Sequence, residues 1–170
     1  MSKYFYTILL SISLLFSFLT IFNVHAHSGK ARFHVIVDVD GAADDLRTLS
    51  MLLGNREIEV LSINSSNGAL TPAETANRIS ALLKEFFNEG VPVGVGREVK
   101  SVEPEWRDMS RKINWGDSIS TQNILQVAPA LIKETLDNEE EKVTYLALGS
   151  LTNLSDLFSL LHKKKNKIDR

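Results

Sequence analysis

The run Phe33-His34-Val35-Ile36-Val37-Asp38 ends in a burst of acid, with Asp38, Asp40, Asp44 and Asp45 falling inside eight residues. Its β-branched core is apolar without alternation, which is the pattern of a strand buried on both faces of a parallel sheet. Asp44 and Asp45 then open Leu46-Arg47-Thr48-Leu49-Ser50-Met51-Leu52-Leu53, in which Leu46, Leu49 and Leu53 share a helical face and Gly54 is a suitable stop. A buried strand, a short acidic turn and an amphipathic helix restrict the chain to an α/β layout.

The same alternation continues. Ile58 to Ile63 reads as a second strand. Thr71-Pro72-Ala73-Glu74 is a capping box with proline at the first helical position, and it starts a helix with Ile79, Leu82, Leu83 and Phe86 at helical spacing, ended by Gly90. Val91 to Val95 is a third strand. Pro129 begins a short helix carrying Leu131, Ile132 and Leu136, and Asp137 to Glu141 forms an acidic turn. Val143 to Leu148 is a fourth strand, followed by Gly149 and a last helix from about Thr152. The predicted fold is a Rossmann-like parallel sheet with helices on both faces and right-handed crossovers. Ligands of such sheets sit beyond the carboxyl ends of the strands, so the acids and Gly149 are expected to meet there. Between Lys100 and Thr121 no period is visible, and this stretch, with Trp106 and Trp115, is long enough to be a substrate loop. Lys163-Lys164-Lys165-Asn166-Lys167 reads as a solvated helix end.

Ahead of the fold, Met1-Ser2-Lys3-Tyr4-Phe5-Tyr6 precedes an apolar stretch from Thr7 to Val24 and the small-residue exit Val24-His25-Ala26. This is the pattern of a secretory signal peptide over residues 1–26. The competing reading is an uncleaved membrane anchor, since the apolar run approaches a membrane span. Cleavage near Ala26 predicts a secreted or periplasmic protein with no membrane attachment, and residues 27–170 retain enough chain for a hydrophobic core. The chain has no cysteine, so disulfides are excluded. A net charge of −2 gives no reason to expect nucleic-acid binding.

The acid cluster admits two physical readings. Asp44 or Asp45 could serve as a helix N-cap, accepting backbone N–H bonds at the positive end of the dipole. That leaves Asp38 and Asp40 unexplained at the end of an apolar strand. Four neighbouring carboxylates repel one another unless a cation neutralises them, and hard carboxylate oxygens favour Ca²⁺ or Mg²⁺.

Two families resemble this segment. The haloacid-dehalogenase-like phosphatases have Asp-x-Asp-Gly-Thr after the first strand, and Asp38-Val39-Asp40-Gly41 is similar, with Ala42 in place of Thr. That reading implies Asp38 as nucleophile with Mg²⁺ and gives Asp44 and Asp45 no role. The inosine/uridine-preferring nucleoside hydrolases have Asp-Thr-Asp-Pro-Gly-x-Asp-Asp, and all four acids stand here at that spacing. Ile63-Asn64-Ser65-Ser66-Asn67-Gly68, the helix from Thr71 to Leu83 and Val143 to Leu154 also resemble stretches of that family. The sequence is identified as similar to it over roughly residues 33 to 160, as the amino-terminal part of an incomplete nucleoside hydrolase fold.

The resemblance implies hydrolysis of the N-glycosidic bond of nucleosides to ribose and free base, with a small-molecule nucleoside as partner and Ca²⁺ as cofactor. It implies that Asp40 is general base and calcium ligand, that Asp45 is a second ligand and that Leu146 lends a backbone carbonyl to the ion. It implies that Asp44 and Asn67 bind ribose and that Asp38 supports the site. Trp106 and Trp115 are candidates to stack on a base, or else packing anchors. Val39, Gly41 and Ala42 depart from the family's Thr, Pro and Gly, and the leaving-group His of some members has no counterpart. The family's later residues are also missing, so the expectation is a truncated chain, inactive alone or reduced to a non-catalytic ribose- or ion-binding remnant. A homo-oligomer is compatible with this reading.

Overall fold

The computed structural model describes residues 30–100, 103–113 and 126–168, the last six of these by backbone only. The segment 1–26, Trp115 and the side chains of the lysine run lie outside the described residues. Residues 31–170 form one compact unit. Its elements run β1 (Phe33–Val39), α1 (Ala43–Leu53), β2 (Ile58–Ser65), α2 (Pro72–Glu85), β3 (Val93–Val95), α3 (Trp106–Lys112), β4 (Gln126–Val127), α4 (Ala128–Asn138), β5 (Val143–Ala147) and α5 (Thr152–Ile168). None of the described helices is long and apolar enough to cross a membrane.

The strands form one sheet in the order β4-β3-β2-β1-β5. All described pairings are parallel: Asp38 stands opposite Asn64 on β2 and opposite Ala147 on β5. Successive residues of β1 point to opposite faces, and both faces are covered. On one side Val35, Val37 and Val39 pack with Leu46 and Leu49 of α1 and with Ile79, Leu82 and Leu83 of α2. On the other, Ile36 packs with Ile132 of α4, Leu157 of α5 and Tyr145. The helices on both faces are thus held by the alternating residues of one strand. Connections from β1 lead outward to β2 and β3, and the chain then returns past β1 to place β5 on its other side. The sheet therefore has its switch point between β1 and β5, where a parallel sheet opens a crevice for ligand.

Local capping agrees with the sequence at α2. Glu74 N–H donates to Thr71 Oγ1 at 3.3 Å and Thr71 N–H donates to Glu74 Oε2 at 2.9 Å, closing both halves of the box. Three expectations change. The second helix does not run to Gly90: it closes at Phe86, where Phe87 N–H bonds Lys84 O and Asn88 N–H bonds Leu83 O around Phe87 at φ 56°. This is a Schellman end with phenylalanine in the position usually given to glycine. At α1 the N-cap is Ala42, whose side chain makes no cap bond, so neither Asp44 nor Asp45 caps the helix. Between Lys100 and Thr121 the described part contains a helix, α3, which explains how Trp106 is carried.

Candidate active site

Asp40 follows the end of β1 and is held from several directions. Its N–H donates to Asp45 Oδ2 at 2.8 Å, and its own Oδ1 accepts from Ala42 N–H at 3.1 Å. Its carbonyl accepts from Leu70 N–H at 3.0 Å and from Thr75 Oγ1 at 2.9 Å, which fixes the turn against β2 and α2. Gly41 sits at φ 84°, where a β-carbon would meet Thr75 Oγ1 at 2.7 Å. Proline is locked near −65° and cannot take that value, so Gly41 at the family's proline position gives this turn its own path. Gly68 presses against the same carboxylate: a β-carbon there would lie 2.0 Å from Asp40 Oδ2.

Asp45, on the first turn of α1, is buried. Burial, with the charges of Asp40 and Asp44 adding to it, pushes its carboxyl up to about 7, against the hydrogen bond from Asp40 N–H. Asp44, one residue earlier, is exposed. Asp40 and Asp44 line a cavity of about 560 Å³ together with Asn67, Trp106, Met109 and Ile113. Trp106 is 60% exposed. Asn67 Oδ1 is buried with no hydrogen-bond partner among the described residues.

Asp38 belongs elsewhere. It is fully buried on the α4–α5 face, where its Oδ2 accepts from Tyr145 Oη at 2.6 Å and from Asn153 Nδ2 at 3.1 Å. Burial pushes it up to about 6 although these bonds favour the carboxylate. It does not line the cavity. A nucleophile must reach its substrate and Asp38 is fully buried, so the phosphatase reading with Asp38 as nucleophile and Mg²⁺ beside it is not favoured. Burial and the nearby Asp38 charge raise the Tyr145 phenol, keeping it a donor.

The structure places Leu146 deeper in the sheet than Asp40. It stands opposite Val37, inside the ladder and three residues short of Asp40. At about 3.3 Å per residue this is roughly 10 Å away along the strand. The residues that follow β5 are Leu148 and Gly149, whose N–H groups both donate to Asp38 O, at 2.8 and 3.2 Å. Sequence reasoning missed three residues. Asn153 bridges Asp38 and Ser65 O, at 3.0 Å for the latter; it was visible in the Leu151-Thr152-Asn153 turn but carried no role. Tyr145 sits mid-strand without local signal. Arg107, buried on α3, donates to Gly68 O at 2.8 Å.

Carboxylates gathered at the switch point of a doubly covered parallel sheet, beside a half-open cavity, define an α/β domain with a ligand site beyond its strand ends. Comparison with known proteins makes the assignment specific. The family described as inosine-uridine preferring nucleoside hydrolase matches residues 35–170, and the chain belongs to that family. It is 28% identical over 148 residues to the pyrimidine-specific ribonucleoside hydrolase RihA of Escherichia coli (strain SMS-3-5 / SECEC), covering 80% of this chain and 46% of that protein. The RihA of Klebsiella pneumoniae subsp. pneumoniae is 24% identical over 150 residues, with the same coverage. The chain therefore spans about half the length of the relatives it matches. Among solved structures, the plant nucleoside hydrolase PpNRh1 aligns with a TM-score of 0.67 and 21% identity, over 76% of this chain and 43% of that one. The inosine-uridine preferring nucleoside hydrolase of Bacillus anthracis aligns at 0.62 and 23%, over 75% and 45%. These structures share the fold.

Proposed function

We propose that the protein takes part in hydrolysis of the N-glycosidic bond of nucleosides, releasing ribose and a free base. The observation that carries this reading is the placement of Asp40, Asp44 and Asn67 on one cavity, with Asp45 bonded to the Asp40 backbone behind them. Family membership and the names of the relatives support it.

The donor set suits a hard cation. Asp40 and Asp45 are adjacent oxygen donors, Asp45 being raised by burial with the Asp40 charge adding to it, and Asn67 Oδ1 is an acceptor without a partner among the described residues. Among the described residues no group of three or more His, Asp or Glu side chains converges on one metal position. Asp40 and Asp45 would therefore hold Ca²⁺ from one side, with Leu148 or Gly149 as a nearer source of a backbone carbonyl than Leu146. A bound Ca²⁺ supplies Lewis-acid polarisation of water and ribose hydroxyls.

The chain's own residues do the rest. Asp40 accepts the proton of the attacking water as general base. Asp44, exposed at the cavity, accepts hydrogen bonds from ribose hydroxyls, and Asn67 contacts the same sugar. Trp106 offers an exposed ring for the base, whether purine or pyrimidine, since every base has a π face. Trp115 is a second candidate for that role. Asp38 supports the strand end from the opposite face. The segment 1–26 is read as a cleaved signal peptide, which places the protein outside the cytoplasm.

Incubation with inosine and with uridine, with and without a chelator, tests the reading. Base release that is lost on chelation and restored by Ca²⁺ supports it. Absence of base release from either nucleoside, with Ca²⁺ present, contradicts it. Ribose binding without turnover would favour a non-catalytic binder.

A further inference from the structure

Helix α3 is attached to the domain by polar contacts. Arg78 Nη2 donates to Ser110 O and Arg111 O at the helix C-terminus, at 2.9 and 3.0 Å. Arg111 Nε donates to Glu74 Oε1 at 2.7 Å. The third attachment differs in where it leads. Arg107, 6% exposed, donates through Nη2 to Gly68 O at 2.8 Å, and Gly68 is the residue whose α-carbon abuts the Asp40 carboxylate. Leu70, two residues on, donates its N–H to Asp40 O at 3.0 Å. One side chain thus connects the helix that carries Trp106, Met109 and Ile113 into the cavity with the loop that presses on Asp40.

We propose that Arg107 is a positioning residue, which clamps Gly68 against Asp40 and so couples the α3 wall of the cavity to the orientation of the acid at its base. This rests on the reading of Asp40 as general base. A guanidinium bond to a carbonyl is charge-assisted and directional, and it adds to the bond that Gly68 N–H donates to Leu70 O at 3.0 Å. Loss of the clamp frees Gly68 to withdraw and the Asp40 carboxylate to turn; Arg107 also lines the cavity, so a direct contact with substrate would show as a loss in KM.

The test compares Arg107→Met, which keeps side-chain bulk, with Arg107→Lys, which keeps a cationic donor for Gly68. Two measurements are made on each: hydrogen exchange and amide chemical shifts of Gly68 and Leu70, and steady-state kinetics of base release. The expected result for Arg107→Met is at least tenfold faster exchange at Leu70, shifted Gly68 and Leu70 resonances, and a kcat about tenfold lower with KM changed less than threefold. Arg107→Lys is expected to recover most of both effects. Unchanged exchange and shifts at Gly68 and Leu70 in Arg107→Met overturn the proposal, as does a loss in KM alone. An Arg107→Lys variant as impaired as Arg107→Met also overturns it. If Arg107→Met does not fold, Arg107→Leu, which also lacks a donor, carries the same comparison. If the unmodified protein releases no base, the exchange arm still decides the clamp, and only the functional reading fails.

Discussion

Tyr145 donates its hydroxyl to Asp38 at 2.6 Å, joining β5 to β1 across 107 residues of sequence. The bond fixes Asp38 as a buried structural acid and leaves Asp40, two residues on, to face the cavity. Tyr145→Phe removes a donor to a buried carboxylate that also lacks a partner at Oδ1 among the described residues. The expected cost is about 1–3 kcal/mol, seen as a Tm lowered by several degrees in calorimetry. An unchanged Tm would mean that the carboxylate is satisfied without Tyr145.

Glu74 is expected to make the protein acid-sensitive. Burial alone would raise its pKa, but Arg111 and the Thr71 donors outweigh it and bring it down to about 2. A lowered carboxylate stabilises fully above its unfolded value near 4.5, and the contribution is lost as pH falls toward about 2. Glu74→Gln should cost up to about 1 kcal/mol at neutral pH, reflecting the loss of a partly exposed ion pair with Arg111, since glutamine can still close the capping box. It should also remove this part of the acid loss. Denaturant midpoints of both proteins between about pH 6 and pH 3 check the point.

The opposite sign applies at His34. It is buried at the start of β1, with Nδ1 3.2 Å from Glu139 and Nε2 3.9 Å from Glu59. The Glu139 bond, against burial and with help from both glutamates and the Ala31 backbone, raises the imidazole above 6.5. Its stabilisation is complete below 6.5 and fades as pH rises through the raised value. Glu139→Gln should therefore flatten the fall in unfolding midpoint seen above about pH 6.5. An equally steep fall in the variant would assign the effect to another group.

Phe87 holds φ 56° at the end of α2 and is 89% exposed. A left-handed conformation costs a side-chain residue about 1–2 kcal/mol, while glycine adopts it freely at some entropic cost in the unfolded chain. Phe87→Gly should raise stability by about 0.5–1 kcal/mol, measured as a higher urea midpoint. A lower midpoint would show that the ring packs against something.

Much of this molecule is legible wherever local pattern carries the physics. The apolar run to Val37 marks a doubly buried strand, Thr71 to Glu74 marks a helix start, and the acids that follow β1 fall at the strand end, where Asp40 and Asp44 line the cavity. What escaped has a common cause. Helix α3 has seven residues and is tethered by Arg78 and Arg107 rather than by a buried face, so it leaves no hydrophobic period. The Asp38–Tyr145–Asn153 cluster exists only once β1, β5 and α5 meet. The position of Leu146 depends on register, which a sequence does not show, and one or two residues along a strand decide which carbonyl lies beside Asp40. The end of α2 was misplaced because Phe87 takes a position for which glycine is the usual marker.

Asp40, and not Asp38, is the proposed general base of a nucleoside hydrolase site. The most direct measurement is base release from uridine and inosine in the presence of Ca²⁺, by the unmodified protein and by Asp40→Asn and Asp38→Asn. The expected result is release by the unmodified protein, a loss of at least about 100-fold in Asp40→Asn, and a smaller loss in Asp38→Asn that follows its loss of stability. Asp40→Asn as active as the unmodified protein, or activity abolished only in Asp38→Asn, would contradict it.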